Sequence, residues 1–153
     1  MTYYASMMAV GVVCVAALIL FYPTRQGLSD KDSVVISFEK GVISAEIASS
    51  TLKKYQGLSG RETLQKDTGM LFVFLQPSYL SFVMRDMKFN LDFVWIDNNV
   101  VVDISKNISA PQNGEAPIHI KPTNPASMVL EVNAGTIERL DIKVGEKISI
   151  QKQ

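Results

Sequence analysis

Asp92 has the clearest claim to chemistry in this sequence. It sits within Phe89-Asn-Leu-Asp-Phe-Val-Trp-Ile96, a run that places Leu91, Phe93 and Trp95 on one side of a strand and Val94 and Ile96 on the other. A strand apolar on both sides is buried on both. A carboxylate carried into such a place costs several kcal/mol unless it is paired. If Asn98-Asn99 forms a two-residue hairpin turn, Asp92 faces Ser105 and Asp103 faces Val94, which makes the acids diagonal neighbours about 7–8 Å apart. Two carboxylates at that range can serve as general acid and general base in hydrolase-like chemistry. Asp92 is also explained as an internal tie that holds a backbone donor and an arginine, and that structural role is the default.

Arg61 and Arg85 are the candidate partners, because a guanidinium pairs with a carboxylate through two parallel hydrogen bonds. Arg61 closes the turn Gly57-Leu-Ser-Gly-Arg61, and Arg85 follows Met84 at a strand end. Either could neutralise Asp92 or Glu131, or face an anionic ligand. Glu131 lies between Leu130 and Val132, on the side of Val129 and Asn133. A strand with one polar side faces either solvent or a ligand. Arg61, Met84, Arg85, Asp92 and Glu131 are therefore the candidate binding residues, and no catalytic residue is assigned.

Other chemistries find less support. Met70, Met84 and Met87 are soft donors, but their spacing matches no ligand motif, and methionine commonly fills gaps in a core. His119 is the single histidine, so a hydrolytic triad has one possible base and no nucleophile turn. Gly57-Leu-Ser-Gly60 lacks the spacing and lysine of a phosphate-binding loop. No metal and no cofactor are expected.

The elements that must position these residues follow from pattern. Val34–Phe38 and Val42–Ile47 alternate with period two around Lys40-Gly41, which predicts a hairpin. Ser50 caps a short helix that runs to Gln56, and Gly57 terminates it. Ser59-Gly-Arg-Glu62 matches a capping box and predicts one more helical turn carrying Leu64. Strands are predicted at 70–75, 79–85, 89–96, 100–108 and 127–133. Thr136 caps a one-turn helix through Leu140, and 147–151 closes the sheet. Seven or eight short strands with closely spaced turns predict a small antiparallel, barrel-like domain, mostly β with one or two short helices.

Bulk composition sets the outer limits. Fifteen basic and fifteen acidic side chains cancel, so the basic face of a nucleic-acid binder is not expected. Residues 3–22, YYASMMAVGVVCVAALILFY, contain no charge. About twenty apolar residues span a bilayer core of about 30 Å, and tyrosines at both ends suit the interface. The run is long, lacks a preceding Lys or Arg, and is followed by no small-x-small cleavage site, so it reads as an uncleaved transmembrane anchor rather than a signal peptide. Cys14, the single cysteine, lies inside it after Val13, which is not the small residue a lipoprotein site needs. Three parts follow: an anchor or signal segment at 1–23, a polar linker at 24–33 and a β domain at 34–153.

Three blocks within the β domain resemble a known family. Tyr55-x-Gly57-Leu58-Ser59-x-Arg61 precedes Gly69-Met70-Leu71-Phe72-x-Phe74; Phe82 to Asp97 follows; Val129-Leu-Glu-Val-Asn-Ala-Gly135 leads to Lys143-Val-Gly-Glu-Lys147. Together they resemble the DUF192 family, small mostly β domains of bacteria and archaea. Val83, Arg85-Asp86-Met87 and Asn90 depart from that family's Trp, Lys-Asn-Thr and Pro. The resemblance implies a compact β domain, often exported, and no reaction. Arg25 and Lys31 after the anchor would hold the domain in the cytoplasm by the positive-inside rule, whereas exported relatives imply a periplasmic or extracellular domain, and the outside placement is preferred. The expected protein is a single-pass, membrane-anchored binding or accessory module for a small polar ligand or partner peptide. The alternatives are a hydrolase-like enzyme using Asp92 and a second carboxylate, and a structural component of a membrane complex.

Overall fold

The computed structural model describes residues 27–112 and 115–153. The 3–22 segment read as a membrane anchor lies outside them. No helix among the described residues is long and apolar enough to cross a membrane.

Among the described residues nine strands and two short helices follow in order: β1 (Ser33–Phe38), β2 (Gly41–Ala48), α1 (Thr51–Gln56), β3 (Thr68–Ser78), β4 (Phe82–Val83), β5 (Leu91–Asp97), β6 (Val100–Ile108), β7 (His119–Ile120), β8 (Ala126–Asn133), α2 (Thr136–Arg139) and β9 (Ser149–Lys152). Seven form one sheet in the order β6-β5-β8-β3-β2-β1-β9, and β4 pairs with β7 apart from it. The expected one-turn helix after Ser59 is replaced by a turn, with Gly60 at φ +76°. Of the strand expected at 79–85, only Phe82 and Val83 pair.

Two features depart from the expected antiparallel barrel. β2 and β3 run parallel, with Ser44 opposite Thr68 and Ala48 opposite Phe72, because α1 and the turns after it carry the chain back to the starting end of β2. The sheet also stays open. A barrel needs its two end strands paired along their lengths, yet β6 and β9 do not pair. Only the segment just before β9 meets the start of β6, through the Val100–Lys147 bridge and backbone hydrogen bonds from Gly145 and Ile148 to Val101 O and Asn99 O and from Val101 to Glu146 O. The chain there turns through Gly145 at φ +90° and becomes a strand at Ser149, where its partner is β1.

Both faces of the sheet are covered, which divides the core in two. On one side Ile36, Ile43, Leu71, Val94, Leu130 and Val132 pack with Ile137 and Leu140 of the α2 region. On the other, Met70, Phe72, Leu91, Phe93, Trp95 and Val129 pack beneath Leu58, Met84, Met87 and Ile120. The alternation of β5 is the one its sequence predicts: Leu91, Phe93 and Trp95 enter the second core, Val94 and Ile96 the first.

The β5–β6 hairpin shows how a local expectation can hold while its consequence fails. Asn98 and Asn99 form the two-residue turn, at φ +48° and +59°, with Asp97 opposite Val100. Asparagine tolerates this left-handed backbone, which matches the twist of a hairpin. Beyond Ile96–Val101, however, Trp95 pairs with Asp103, leaving Val102 as an extra residue; a second shift separates Phe93–Ser105 from Leu91–Ile108. Each bulge moves the register by one residue. Asp103 is therefore the partner of Trp95 rather than Val94, and the Asp92–Asp103 diagonal pair does not form.

Candidate functional site

β8 sends alternate side chains to opposite faces. Met128, Leu130 and Val132 enter the first core, and Glu131 faces the second, between its register partners Met70 on β3 and Phe93 on β5. Glu131 is 7% exposed, and no donor among the described residues reaches its carboxyl. Burial alone pushes its pKa up to about 8. An acid in this setting is neutral at pH 7, because the surroundings cannot replace the hydration that the charged form needs.

The Glu131 side chain borders a recess of about 380 Å³ between the end of α1, the turn after it, and segment 81–87. Each wall has a local cause. The Ser50 hydroxyl accepts the Lys53 N–H at 3.2 Å and starts α1. Asp30 holds the approach to the helix by accepting the Ser49 and Ser50 N–H groups at 2.7 and 3.0 Å. Gly57 then adopts φ +52°, and a Cβ there would stand 3.3 Å from the Phe72 ring. Glycine therefore both turns the chain and leaves room beside Phe72.

The opposite wall is tied back to the body at three points. Met84 N–H donates to Ile118 O at 2.9 Å, Gly60 N–H to Asp86 O at 2.9 Å, and Ser59 Oγ to Arg85 O at 2.8 Å. Phe82 anchors this wall by edge-on contacts with Phe72, at 4.9 Å between ring centres, and with Trp95, at 5.6 Å. Such geometry sets the positive edge of one ring against the negative face of another.

Two cations stand toward the solvent side. The Arg85 guanidinium lies 4.1 Å from the centre of the Tyr55 ring, and its Nη2 donates to Tyr55 O at 2.7 Å. Lys54 Nζ lies 4.4 Å from the centre of the Phe74 ring, and partial burial lowers its pKa. The recess thus combines an outer cationic rim, apolar and aromatic walls, and a buried acid.

Three of the five candidate residues, Met84, Arg85 and Glu131, line this recess. Arg61 does not. It grips Glu46 on β2 through two hydrogen bonds of 2.6 and 2.8 Å, with Lys53 Nζ 3.3 Å from the same carboxylate, and lines a separate recess with Glu46. The pair lowers the pKa of Glu46 and raises that of Arg61.

Asp92 is 1% exposed and lies outside both recesses. Its Oδ1 accepts the Asn107 N–H at 2.8 Å and its Oδ2 the Ile137 N–H at 2.9 Å, so it ties the second β6 bulge to the first turn of α2. Neither expected arginine is its partner. Asp103 accepts the Thr123 N–H and hydroxyl at 2.6 and 2.8 Å. Sequence reasoning overlooked Lys54, Tyr55, Phe74 and Phe82 as recess residues. For Tyr55, Phe74 and Phe82 a signal existed, since all three stand in the family-like blocks.

The DUF192 family model, described as an uncharacterized ACR family, matches residues 34–150. The chain belongs to this family. A Sinorhizobium meliloti 1021 protein described as a candidate transcription regulator is similar in structure, at 29% identity and a TM-score of 0.64, over 77% of this chain and 92% of that one. A protein of unknown function from Novosphingobium aromaticivorans DSM 12444 is similar at 28% identity and a TM-score of 0.63, over 76% of this chain and 83% of that one. No curated protein matches.

Proposed function

We propose that this DUF192 domain is a non-catalytic binding or accessory module that holds a small polar ligand, or the end of a partner peptide, in the recess bordered by Met84, Arg85 and Glu131. The observation that carries this reading is Glu131: an acid 7% exposed, facing a cavity and unmatched by any donor among the described residues. No fully buried side-chain oxygen or nitrogen among the described residues lacks a partner, so the Glu131 carboxyl reaches the recess rather than being sealed off from it. A concave apolar site with a few converging polar groups is the common form of a ligand site. Binding is favoured over hydrolysis because Asp92 is committed to two backbone donors and its expected partner acid stands in another register. Residues 3–22 would tether the module to the membrane as a single-pass anchor, with the domain on the periplasmic or extracellular side. Regulation of transcription is not carried over from the Sinorhizobium protein, since the balanced charge offers no attraction to nucleic acid.

A thermal-shift ligand screen on the full chain, run beside Ser81→Trp, tests the proposal. Ser81 is an exposed residue bordering the recess, so the indole obstructs the opening while the core stays intact. Compounds that stabilise the wild type and fail to stabilise Ser81→Trp, at equal baseline melting temperature, support the reading. Stabilisation that is indifferent to Ser81→Trp overturns it.

A further inference from the structure

We propose that the recess takes a two-ended organic ion, an amine-bearing carboxylate whose ammonium meets Glu131 and whose anionic end lies toward Lys54 and Arg85. The inference rests on the reading of this recess as the binding site and names the chemistry of its ligand. Glu131 is a buried acid of the recess lining, flanked by Met70 and Phe93, which carry no charge. A carboxylate formed there needs a cation, and none is supplied by the described residues. The remaining titratable side chains bordering the recess are Lys54 and Tyr55 on α1 and Arg85 on the opposite wall. Neither cation contributes to the shift at Glu131. Asp86, next to Arg85, is exposed and pairs with it loosely, its Oδ2 lying 3.8 Å from Nε, and an exposed pair of this kind is weak enough for a ligand anion to compete with it.

Arg85 and Lys54 each lie over an aromatic ring. The carboxylates that act on them, Asp86 on Arg85 and Asp30 on Lys54, do so without a close hydrogen-bonded pair, so a ligand anion can compete for their charge. The aromatic residues that line the same recess, Phe72, Phe74 and Phe82, suit an apolar spacer, and aromatic ring faces attract an ammonium. A molecule with both charges at one end would leave either the acid or the rim unmatched, and a simple anion would leave Glu131 without a partner.

The empty recess holds Glu131 as the neutral acid, the ammonium ligand enters protonated, and one proton leaves Glu131 for solvent as the ion pair forms. Affinity should therefore rise about tenfold per pH unit below pH 8, and binding at pH 6.5 should release close to one proton.

The test uses the full chain in maltoside micelles with methyl-labelled methionine. Met84 and Met87 report on the recess, and Met128 in the opposite core serves as the control. Probes are 4-(aminomethyl)benzoate, benzylamine and benzoate, with calorimetry in two buffers of different ionisation enthalpy to count protons. The expected result is that 4-(aminomethyl)benzoate shifts Met84 and Met87 but not Met128 and releases about one proton. Glu131→Gln should abolish the release and weaken binding at least tenfold, whereas Arg85→Ala should weaken binding and leave the release intact. Benzoate that binds as well as the two-ended probe, or binding of the latter without proton release, overturns the amine assignment while leaving the recess a binding site. Silence of Met84 and Met87 toward every probe overturns the amine assignment, and the Ser81→Trp screen decides the wider reading separately. Should Glu131→Gln fail to fold, Glu131→Asp replaces it, with proton release retained and affinity reduced.

Discussion

Glu131 stands directly opposite Phe93 across the β5–β8 ladder, so Asp92, one residue earlier, stands opposite Val132 and its carboxyl enters the other face of the sheet. Two buried acids on hydrogen-bonded neighbouring strands thus never meet. One is saturated by backbone donors and holds the fold together; the other is unmatched and borders a cavity.

Loss of Asp92 should be expensive for stability. Asp92→Asn retains one acceptor oxygen for two backbone donors, and its amide group opposes the second. Hydrogen bonds to a charged group are worth about 1.5–3 kcal/mol each, so a loss of about 2–4 kcal/mol is expected. Urea denaturation with an unchanged m-value measures it. A change below about 0.5 kcal/mol would remove the structural role argued from these two bonds.

The pH dependence of stability should carry the mark of Glu131. Its folded-state value is raised to about 8, so between the ordinary carboxylate range and pH 8 the folded chain keeps a proton that the unfolded chain has released. Stability then falls as pH rises through that window, by at most about 1.4 kcal/mol per unit, and levels off above it. Glu46 and Asp103, whose values are lowered, act with the opposite sign at more acid pH. The stability advantage of Glu131→Gln over the wild type should therefore widen between pH 5 and pH 9. Parallel curves across this range would contradict the burial argument.

Gly69 should be intolerant of any side chain. A Cβ there would stand 2.5 Å from Glu131 O and 3.0 Å from Val132 Cγ1, and neither backbone nor packed strand can give way. Gly69→Ala is expected to cost about 1–3 kcal/mol, the usual penalty for overpacking. Gly41→Ala provides the comparison. Its contact, at 2.7 Å, is with the Leu140 Cδ2 side-chain tip, which can rotate, so the loss measured by denaturation should be smaller.

Arg61 should matter little to either stability or binding. Its pair with Glu46 is geometrically good but partly exposed, and pairs of this kind are worth about 0–1 kcal/mol. Arg61→Lys is expected to lower stability by less than about 1 kcal/mol and to leave any ligand response of Met84 and Met87 unchanged. A lost ligand response would move the site toward the Arg61 recess.

The features the chain dictates locally are those settled within a few neighbouring residues. The two-sided burial of 91–96, the Ser50 cap, the break at Gly57 and the Asn98-Asn99 turn all follow from side-chain alternation, hydroxyl capping and tolerance of positive φ. Tertiary structure decided everything that depended on a distant partner. Val102 and the residues before Ile108 bulge, and nothing in their types announces it. Asp92 accepts the Asn107 N–H from the bulged β6 strand and the Ile137 N–H from 45 residues later in the chain, and neither donor is legible from its own neighbourhood. Arg61 meets Glu46 because β2 and β3 run parallel, an arrangement that alternation alone does not select. The sequence marked Glu131 as polar among apolar neighbours, but only the cover of segment 81–87 over that face made it a buried acid beside a cavity. The physical reason is the same throughout: hydrophobic period assigns a side chain to a face, while register, bulges and the layer above are set by contacts whose closure the local pattern does not encode.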